Sequence, residues 1–249
     1  MASRKPTFAK RIDNFWTGLK IAIVLRLKKL LRLCLIIVIV LVAIPIGLTM
    51  LYSSPSVNPI STLMLGRTLT GKSVDRQWVA LDAINPVLVH SVMMSEDAKF
   101  CTHSGVDWPE LNQVIDDAMV GEKTRGASTL SMQTVKNLYL WPGRSYFRKA
   151  LELPLALLAD AIWTKKRMVE IYLNIAEWGN GVFGIEAAAR YYFRRSAKNL
   201  SARQSALLAV TLPNPKYRNP AKPTRKLSGL AKKIEYRAYR SGAYIKCIK

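Results

Sequence analysis

The chain has little of what most metal and redox sites require. Its 249 residues include only two histidines and three cysteines. His90 and His103 are too few and too poorly spaced for a zinc site, so no metal site is predicted. Acids are also scarce, with 16 Asp and Glu against 38 Lys and Arg. Two of these acids stand out, Glu96 and Glu152, because they lie in motif-like runs that are separated by cations.

Cysteine usage leaves the redox state open. Cys34 lies in an apolar segment, whereas Cys101 and Cys247 both follow it. The latter two could form a disulfide in an oxidising compartment. Nothing in their positions shows that they meet, so free thiols are an equal alternative.

A single apolar segment, residues 33–51, is uncharged and rich in Leu, Ile and Val. As a helix it is long enough to cross a bilayer core of about 30 Å, and a membrane helix tolerates Pro45 and Gly47. A cleaved signal peptide would have a shorter apolar core and small residues at its cut site. The run 48–50, Leu-Thr-Met, does not fit such a site, so an uncleaved anchor is predicted.

Basic residues concentrate at the two ends of the chain. Residues 1–32 carry nine Lys or Arg and one acid, Asp13, while residues 213–249 carry eleven and one acid. The positive-inside rule places the N-terminus in the cytoplasm and residues 52 onward outside. The mixed apolar and basic N-terminal run could also lie along the inner membrane surface. A pI near 10.2 often indicates nucleic-acid binding, but this topology excludes it and favours anionic lipid head groups and lipid pyrophosphates.

The region after the anchor is predicted to be mainly α-helical. Asp107, Pro109 and Glu110 mark a helix start, and Ser201 with Gln204 fits a capping box. No alternating strand pattern and no internal repeat occur. Apolar residues recur at helical spacing over 76–94, 110–120, 129–140, 146–163, 166–176, 184–193 and 202–211.

Glu96 follows an apolar run, so burial at a helix end could raise its pKa toward that of a general base. It could equally be a surface acid. In GASTLSMQTVKN (126–137), Ser128 and Thr129 suit a helix start, where free N–H groups bind phosphate. Lys136 and Asn137 lie near the helix face that carries Thr129 and Gln133; an ordinary capped helix with a solvated lysine is the alternative.

Arg144, Arg148 and Glu152 are spaced four residues apart and would form one stripe on a helix. The stripe could be a phosphate clamp, because arginine grips phosphate bidentately. It could also be a plain surface ion pair of little energetic value.

Five runs occur in a fixed order: EDAKFCTHSG, GASTLSMQTVKN, RKALE, KRMVEIYLN and GNGVFGIEAAARYYF. In this order they resemble the motifs of the family-51 glycosyltransferases, which polymerise peptidoglycan. The likeness covers roughly residues 75–215. With one anchor and no second domain, the chain resembles the monofunctional biosynthetic transglycosylases of that family.

The resemblance implies a lysozyme-like, mainly α-helical domain behind one N-terminal transmembrane helix. Its substrates would be lipid II and the growing glycan chain at the bacterial inner membrane, with the catalytic domain in the periplasm. Glu96 would be the general base. Glu152 would be the second acid, which organises the pyrophosphate, and the resemblance allows a divalent cation there, Mg²⁺ or Mn²⁺. The substrate-binding set would be Ser128, Thr129, Gln133, Lys136, Asn137, Arg144, Arg148 and Lys149, in which Lys136 and Arg144 stabilise the pyrophosphate.

The charge and hydropathy pattern, together with the extent of the resemblance, predicts a division of the chain. The division is a basic cytoplasmic tail (1–32), an anchor (33–51), a linker (52–74), a glycosyltransferase domain (75–215) and a basic C-terminal tail (216–249). Cell-division or cell-wall synthesis proteins are candidate partners. The C-terminal tail matches no motif and is expected to cover the domain or to contact anionic lipid.

One departure from the family pattern concerns substrate binding. The family has two consecutive glutamines where this chain has Met132 and Gln133, and a Met cannot make the hydrogen bonds of an amide.

Three other functions can be weighed against that of a glycosyltransferase. A lysozyme or lytic transglycosylase would need no cation cluster, a non-catalytic membrane scaffold is suggested only by Met132, and a DNA-binding protein is excluded by topology. No Ser-x-x-Lys occurs, so transpeptidase activity is not expected.

Overall fold

The computed structural model of the chain describes residues 8–122, 126–143 and 145–248. Arg144 of the predicted binding set therefore lies outside the described residues. The chain divides into two compact units, Met1–Gly47 and Leu48–Lys249.

The first unit consists mainly of the long helix α1 (Phe8–Tyr52), which ends in the second unit. Within it, residues Ile23–Tyr52 form a stretch that is long and apolar enough to cross a membrane. Apolar side chains such as Leu35, Ile39 and Leu41 are exposed along this helix. An exposed apolar helix near the N-terminus is consistent with the predicted single-pass anchor.

The second unit is mainly α-helical, as predicted. Six of the seven predicted helices lie within two residues of their expected bounds. Two further helices, α2 and α10, were not predicted. Helix α2 has only eight residues, and the apolar positions of α10, which recur at helical spacing, lie among many basic residues. The helices are α2 (Thr62–Leu69), α3 (Pro86–Glu96), α4 (Trp108–Met119), α5 (Leu130–Tyr139), α6 (Tyr146–Ile162), α7 (Lys165–Ile175), α8 (Ile185–Phe193), α9 (Ala202–Ala209) and α10 (Arg225–Tyr239).

Polar side chains cap most of these helices. Asp107 accepts a hydrogen bond from the Glu110 amide at the start of α4, as predicted. Ser201 and Gln204 form the predicted capping box of α9, in which each side chain bonds the backbone N–H of the other residue. The helix boundaries therefore follow from local side-chain chemistry.

The prediction of one helix over 76–94 is wrong in its first half. Helix α3 begins only at Pro86, where Asn85 is the N-cap and accepts a hydrogen bond from the Val87 amide. Proline at the first helical position lacks the N–H that would continue a helix from upstream. Residues before it form the short strand β1 (Asp75–Arg76) and a 3-10 turn over Leu81–Ala83.

A small sheet forms where no strand was predicted. Its order is β1-β3-β2, with β3 (Val182–Phe183) parallel to β1 and antiparallel to β2 (Glu177–Gly179). Strands of two or three residues are too short to show an alternating pattern. Gly184 follows the sheet with φ 79°, and a Cβ there would lie 2.9 Å from the Asn174 carbonyl oxygen, so only glycine fits this turn.

The core of the second unit has two groups of helices. Helix α5 packs against α6 and α7, whereas α3 packs against α9 and α10. Trp178, Tyr172 and Phe100 are among the largest fully buried side chains. The end of α3 meets the start of α5 through Asp97, which accepts a hydrogen bond from the Leu130 amide at 2.9 Å.

The basic C-terminal region contains a packed helix. Leu227, Ala231 and Ile234 on α10 are buried, while its Lys and Arg side chains face outward. Beyond it, Cys247 forms a disulfide with Cys101, with the two Cα atoms 5.4 Å apart. The disulfide, one of the two states that the sequence left open, is thus the one in the structure, and the C-terminal residues cover the domain.

Candidate active site

Glu96 is the last residue of α3, and its carboxylate is half-buried. The Gln133 side chain donates an N–H to Glu96 Oε2 at 3.1 Å, and Ser95 Oγ donates to Oε1 at 3.4 Å. Burial raises the pKa of Glu96, although the Gln133 and Ser95 hydrogen bonds and the charges of Arg218 and Lys136 oppose this rise. A carboxylate with a raised pKa and lone pairs left free is suited to accept a proton.

Asp97, beside Glu96, has a structural role. Its carboxylate accepts hydrogen bonds from the Leu130 amide and from His103 Nε2, the latter at 3.0 Å. Gly105 closes the same loop against α6, since a Cβ there would lie 2.6 Å from the Ala156 carbonyl oxygen. These contacts fix the loop after Glu96 and thereby the position of its carboxylate.

Two cavities lie at this site. The smaller one, of about 200 Å³, is lined by Glu96, Ser128 and Thr129 together with acidic residues of α4 and the loop before it. The larger one, of about 410 Å³, is lined by Gln133, Lys136, Asn137 and Arg148. The structure therefore distributes most of the predicted site residues over two cavities, which are linked by the hydrogen bond between Gln133 and Glu96.

Lys136 supplies an uncompensated cation in the larger cavity. Within the described residues, its ammonium group has no hydrogen-bond or ion-pair partner. Burial lowers the pKa of Lys136, and the charges of Arg148 and Lys149 add to this effect, while Glu152 and Glu96 oppose it. A half-buried cation without a direct partner is partly desolvated, and it becomes more favourable when an anion binds.

Glu152 lies beside this cation and is 2% exposed. It forms an ion pair with Arg148 one turn earlier on α6 and accepts a hydrogen bond from Lys149 Nζ at 2.8 Å. Lys149 Nζ also donates to Ser128 Oγ at 2.8 Å. Of the predicted stripe of Arg144, Arg148 and Glu152, the last two thus form a buried ion pair, which the partly exposed Lys149 joins.

The surroundings of Glu152 do not fit a divalent cation. Both carboxylate oxygens of Glu152 already accept from Arg148 and Lys149. In the part of the chain that the structure describes, no three His, Cys, Asp or Glu side chains converge as metal ligands. The negative charge at this position therefore serves to hold cations of the protein.

Thr129 acts as a helix cap. Its hydroxyl accepts from the Met132 amide at 3.1 Å and donates to the Gly105 carbonyl at 2.6 Å. The hydroxyl proton is therefore used within the protein. Whether the remaining lone pair contacts substrate stays a prediction, as does the binding role of Ser128 and Asn137.

Met132 explains the departure from the family pattern. Its side chain is 0% exposed and lies in the hydrophobic core, one residue before Gln133, which faces Glu96. An amide at position 132 would be buried among apolar groups and would require partners there. The methionine is thus suited to its position, and it removes no group that faces the cavity.

Two site residues were missed by sequence reasoning. Tyr172 on α7 lines the larger cavity and donates its hydroxyl to Gln133 Oε1 at 3.1 Å. Arg218, in the loop after α9, lies close enough to Glu96 to favour its charged form. Tyr172 belongs to an amphipathic run whose apolar face is predicted to lie in the core. Arg218 lies among many other cations in the C-terminal region. Neither residue is therefore distinguished by its sequence context.

The fold and the site together define a class of protein. A half-buried carboxylate at a helix end is hydrogen-bonded to Gln133, which lines a cavity together with Lys136 and Arg148. Among the described residues Lys136 has no partner, and Arg148 is buried beside Glu152. This combination suits an enzyme that moves a proton while it holds an anionic group.

The comparison with known proteins identifies the family. A family model described as transglycosylase matches residues 63–238. A biosynthetic peptidoglycan transglycosylase of Brucella suis biovar 1 is 57% identical over 232 residues, which cover 93% of this chain and 99% of the relative. One of the same name from Rhizobium meliloti is 58% identical, covering 87% of this chain and 92% of the relative. The chain belongs to the transglycosylase family, and the family predicted from the motifs is confirmed.

Proposed function

We propose that this chain polymerises lipid II into β-1,4 glycan strands and releases undecaprenyl pyrophosphate. The family supports a peptidoglycan glycosyltransferase. The observation that carries the proposal is that Gln133 hydrogen-bonds to Glu96 and lines one cavity with Lys136, which has no partner among the described residues. This pairing offers one group for the proton and one for the leaving phosphate.

Glu96 acts as the general base in this reaction. Its carboxylate takes the proton from the 4-hydroxyl of the acceptor GlcNAc as the hydroxyl oxygen bonds to the anomeric carbon of the donor MurNAc. The bond from that carbon to the pyrophosphate oxygen breaks, and its electron pair leaves with the pyrophosphate. Attack from the opposite face converts the α-linked donor into a β-1,4 link.

Lys136 and Arg148 stabilise the departing pyrophosphate. Both line the larger cavity, and Lys149 lies next to Arg148 on α6. Arg144 belongs to the same proposal on motif grounds alone. Glu152 holds the Arg148 and Lys149 side chains in place, so that cations are pre-positioned where negative charge develops.

A lytic enzyme is the second candidate, because it would share the fold and the acid. Its leaving group is a sugar hydroxyl, so it would have no use for the half-buried Lys136 and the cations of α6. These residues favour synthesis over cleavage. The absence of Ser-x-x-Lys from the sequence likewise gives no basis for a transpeptidase.

We also propose that the N-terminus lies in the cytoplasm and the second unit outside the inner membrane. The nine basic residues before the apolar segment support this orientation. The Cys101–Cys247 disulfide supports it as well, because both cysteines follow the segment and disulfides persist in oxidising compartments. Lipid II and the membrane are the partners that this placement implies, and cell-division or cell-wall synthesis proteins are further candidates.

Polymerisation of labelled lipid II by the detergent-solubilised full chain tests the proposal. Glu96→Gln is expected to lower the rate by about 10²–10⁴-fold, and Lys136→Ala by about 10²–10³-fold. Glu235→Gln and Lys232→Ala, which alter the same residue types on α10, are expected to retain wild-type rates.

Three results would contradict the proposal in different ways. Polymer formation that survives Glu96→Gln would remove Glu96 as the base. Cleavage of finished glycan without polymerisation would favour the lytic enzyme. Neither activity in the folded wild type would favour the scaffold.

A further inference from the structure

The Gln133 amide bridges a buried tyrosine and the proposed base. Tyr172 is 1% exposed, and its hydroxyl donates to Gln133 Oε1 at 3.1 Å. At the other end of the same amide, Gln133 Nε2 donates to Glu96 Oε2 at 3.1 Å. The three side chains come from α7, α5 and α3, so the relay depends on the packed domain and not on one segment.

Only one orientation of this amide satisfies all three groups. If the amide were rotated by a half-turn, its oxygen would face the Glu96 carboxylate oxygen and the two would repel each other. The Tyr172 proton would then lose its acceptor, and within the described residues this hydroxyl has no other partner. A buried donor without an acceptor is costly, so the tyrosine proton selects the orientation seen here.

We propose that Tyr172 is a positioning residue that fixes the polarity of the Gln133 amide, so that its NH₂ group faces Glu96. The inference rests on the proposed function, in which Glu96 must be ionised to accept a proton. Tyr172 stays protonated and remains a donor, since burial raises its pKa well above the usual value and the charges of Glu96 and Asp97 act in the same direction. The hydroxyl can therefore hold the amide across the working pH range.

Glu96 has few other groups that favour its charged form. Lys136 from α5 and Arg218 from the loop after α9 act by charge, and Ser95 donates a longer hydrogen bond of 3.4 Å. The buried neighbour Asp97 is already paired with His103. Lys99, Asp107 and Glu110 also line the smaller cavity, where Lys99 contacts both acids. The Gln133 hydrogen bond is thus the main direct contact that opposes the effect of burial.

The inference predicts a particular pH dependence. The active form of Glu96 is the carboxylate, so activity falls as the pH drops through its pKa. Removing the Tyr172 hydroxyl lets the amide turn when Glu96 is protonated, so that the amide oxygen accepts a hydrogen bond from the carboxylic acid. This stabilises the neutral form and raises the pKa of Glu96 further. The acid limb of the profile then moves to higher pH, and the deficit shrinks as the pH rises. A purely structural defect would lower activity equally at all pH values.

The test compares Tyr172→Phe with Tyr192→Phe in the solubilised full chain. Tyr192 is half-buried, donates its hydroxyl to the Trp178 carbonyl at 3.1 Å and lines neither of the two site cavities, so this variant loses a tyrosine hydrogen bond outside the site. Polymerisation rates on lipid II are measured against pH. In parallel, the Glu96 carboxyl is titrated by NMR in protein labelled with ¹³C-glutamate, with Glu96→Gln used to assign its signal.

We expect Tyr172→Phe to raise both the acid limb and the Glu96 titration midpoint by about one pH unit, a tenfold loss of carboxylate stabilisation. Tyr192→Phe should leave both unchanged. Gln133→Met should shift them at least as far, and adding Tyr172→Phe to it should shift them no further, because the tyrosine acts through the amide.

An unchanged Glu96 midpoint in Tyr172→Phe would overturn the inference, as would additive shifts in the double variant. If Tyr172→Phe fails to fold, Gln133→Met provides the test. An unshifted Glu96 midpoint in Gln133→Met would show that the Gln133 amide does not stabilise the carboxylate, which would overturn the inference. If the wild type makes no glycan, the proposed function fails, while the NMR titration still decides whether Tyr172 orients the amide.

Discussion

At the residue scale, two neighbouring residues of α5 have different roles: Met132 packs in the core, and Gln133 contacts the proposed base. Met132 and Gln133 are one residue apart on α5, and an α-helix turns by about 100° per residue. Their side chains therefore enter different surroundings, Met132 the core and Gln133 the cavity beside Glu96. The sequence suggested that Met132 replaces a glutamine that contacts substrate. In the structure, position 132 lies in the core.

This placement predicts the effect of restoring the family residue. Met132→Gln should destabilise the domain by about 1–3 kcal/mol, because it buries an amide among apolar side chains. The rate of polymerisation per folded molecule should stay within about twofold, since no group that faces the cavity changes. Thermal unfolding and lipid II polymerisation measure the two quantities.

Met132→Leu is the matched control for that experiment. It keeps the volume and the apolar character of the site and should cost less than about 1.5 kcal/mol. A clear gain in polymerisation rate in Met132→Gln, with no loss of stability, would show that position 132 contacts substrate after all.

The candidate site was predictable from the sequence where a residue lies in a motif of the family, because spacing alone left a surface acid and a solvated lysine open. Glu96 in EDAKFCTHSG and Lys136 in GASTLSMQTVKN carry such signals. The Tyr172 hydroxyl does not, because its partner, Gln133, lies 39 residues earlier in the chain and the contact exists only once α5 and α7 have packed. Long-range hydrogen bonds of this kind leave no local pattern.

At the element scale, α6 carries both charges of a buried ion pair. Arg148 and Glu152 are four residues apart and are 8% and 2% exposed. Pairs at this spacing contribute little on an exposed helix, but here each charge would be costly without the other. The sequence allowed two interpretations of these residues, a surface ion pair and a phosphate clamp. Both require the same spacing and differ only in burial, so the spacing could not decide between them.

Breaking this pair should separate stability from activity. Glu152→Ala leaves the Arg148 guanidinium buried without its partner and should cost about 3–5 kcal/mol. The double variant Arg148→Met with Glu152→Met removes both charges and should regain most of that stability. Its polymerisation should nevertheless stay at least about tenfold below wild type, because a cation of the leaving-group cavity is missing.

Thermal unfolding and polymerisation of both variants check this expectation. Equal destabilisation in the single and double variants would show that the pair contributes through packing alone. Wild-type activity in the double variant would remove Arg148 from the proposed cation set.

The element boundaries were predictable where polar caps and apolar periodicity agree. Asp107 and Ser201 begin α4 and α9 as expected. Over 76–85 the apolar residues also recur at helical spacing, yet Asn85 and Pro86 begin a new helix there. The apolar side chains Trp78, Val79 and Leu81 pack against the core from a loop, so helical periodicity arose without a helix.

At the scale of the whole molecule, the C-terminal segment is joined to the loop that follows the proposed base. Cys247 pairs with Cys101, five residues after Glu96, across a sequence separation of 146. Ile245, close to this bridge, is 2% exposed. The bridge therefore holds the end of the second unit against the segment that positions Glu96, in addition to the contacts made by α10.

Loss of this bridge should lower stability by about 2–5 kcal/mol, because a long loop that was closed in the unfolded chain becomes open. For a domain of this size each kcal/mol corresponds to about 2–4 °C in Tm. Cys101→Ala, Cys247→Ala and the double variant should all show the same decrease, and the reduced wild type should match them, since each lacks the same single bond. Reductant should leave the Tm of the double variant unchanged. A wild-type Tm that does not respond to reductant, with the thiols shown to be free by alkylation, would mean that α10 and its packing hold the C-terminal segment without the disulfide.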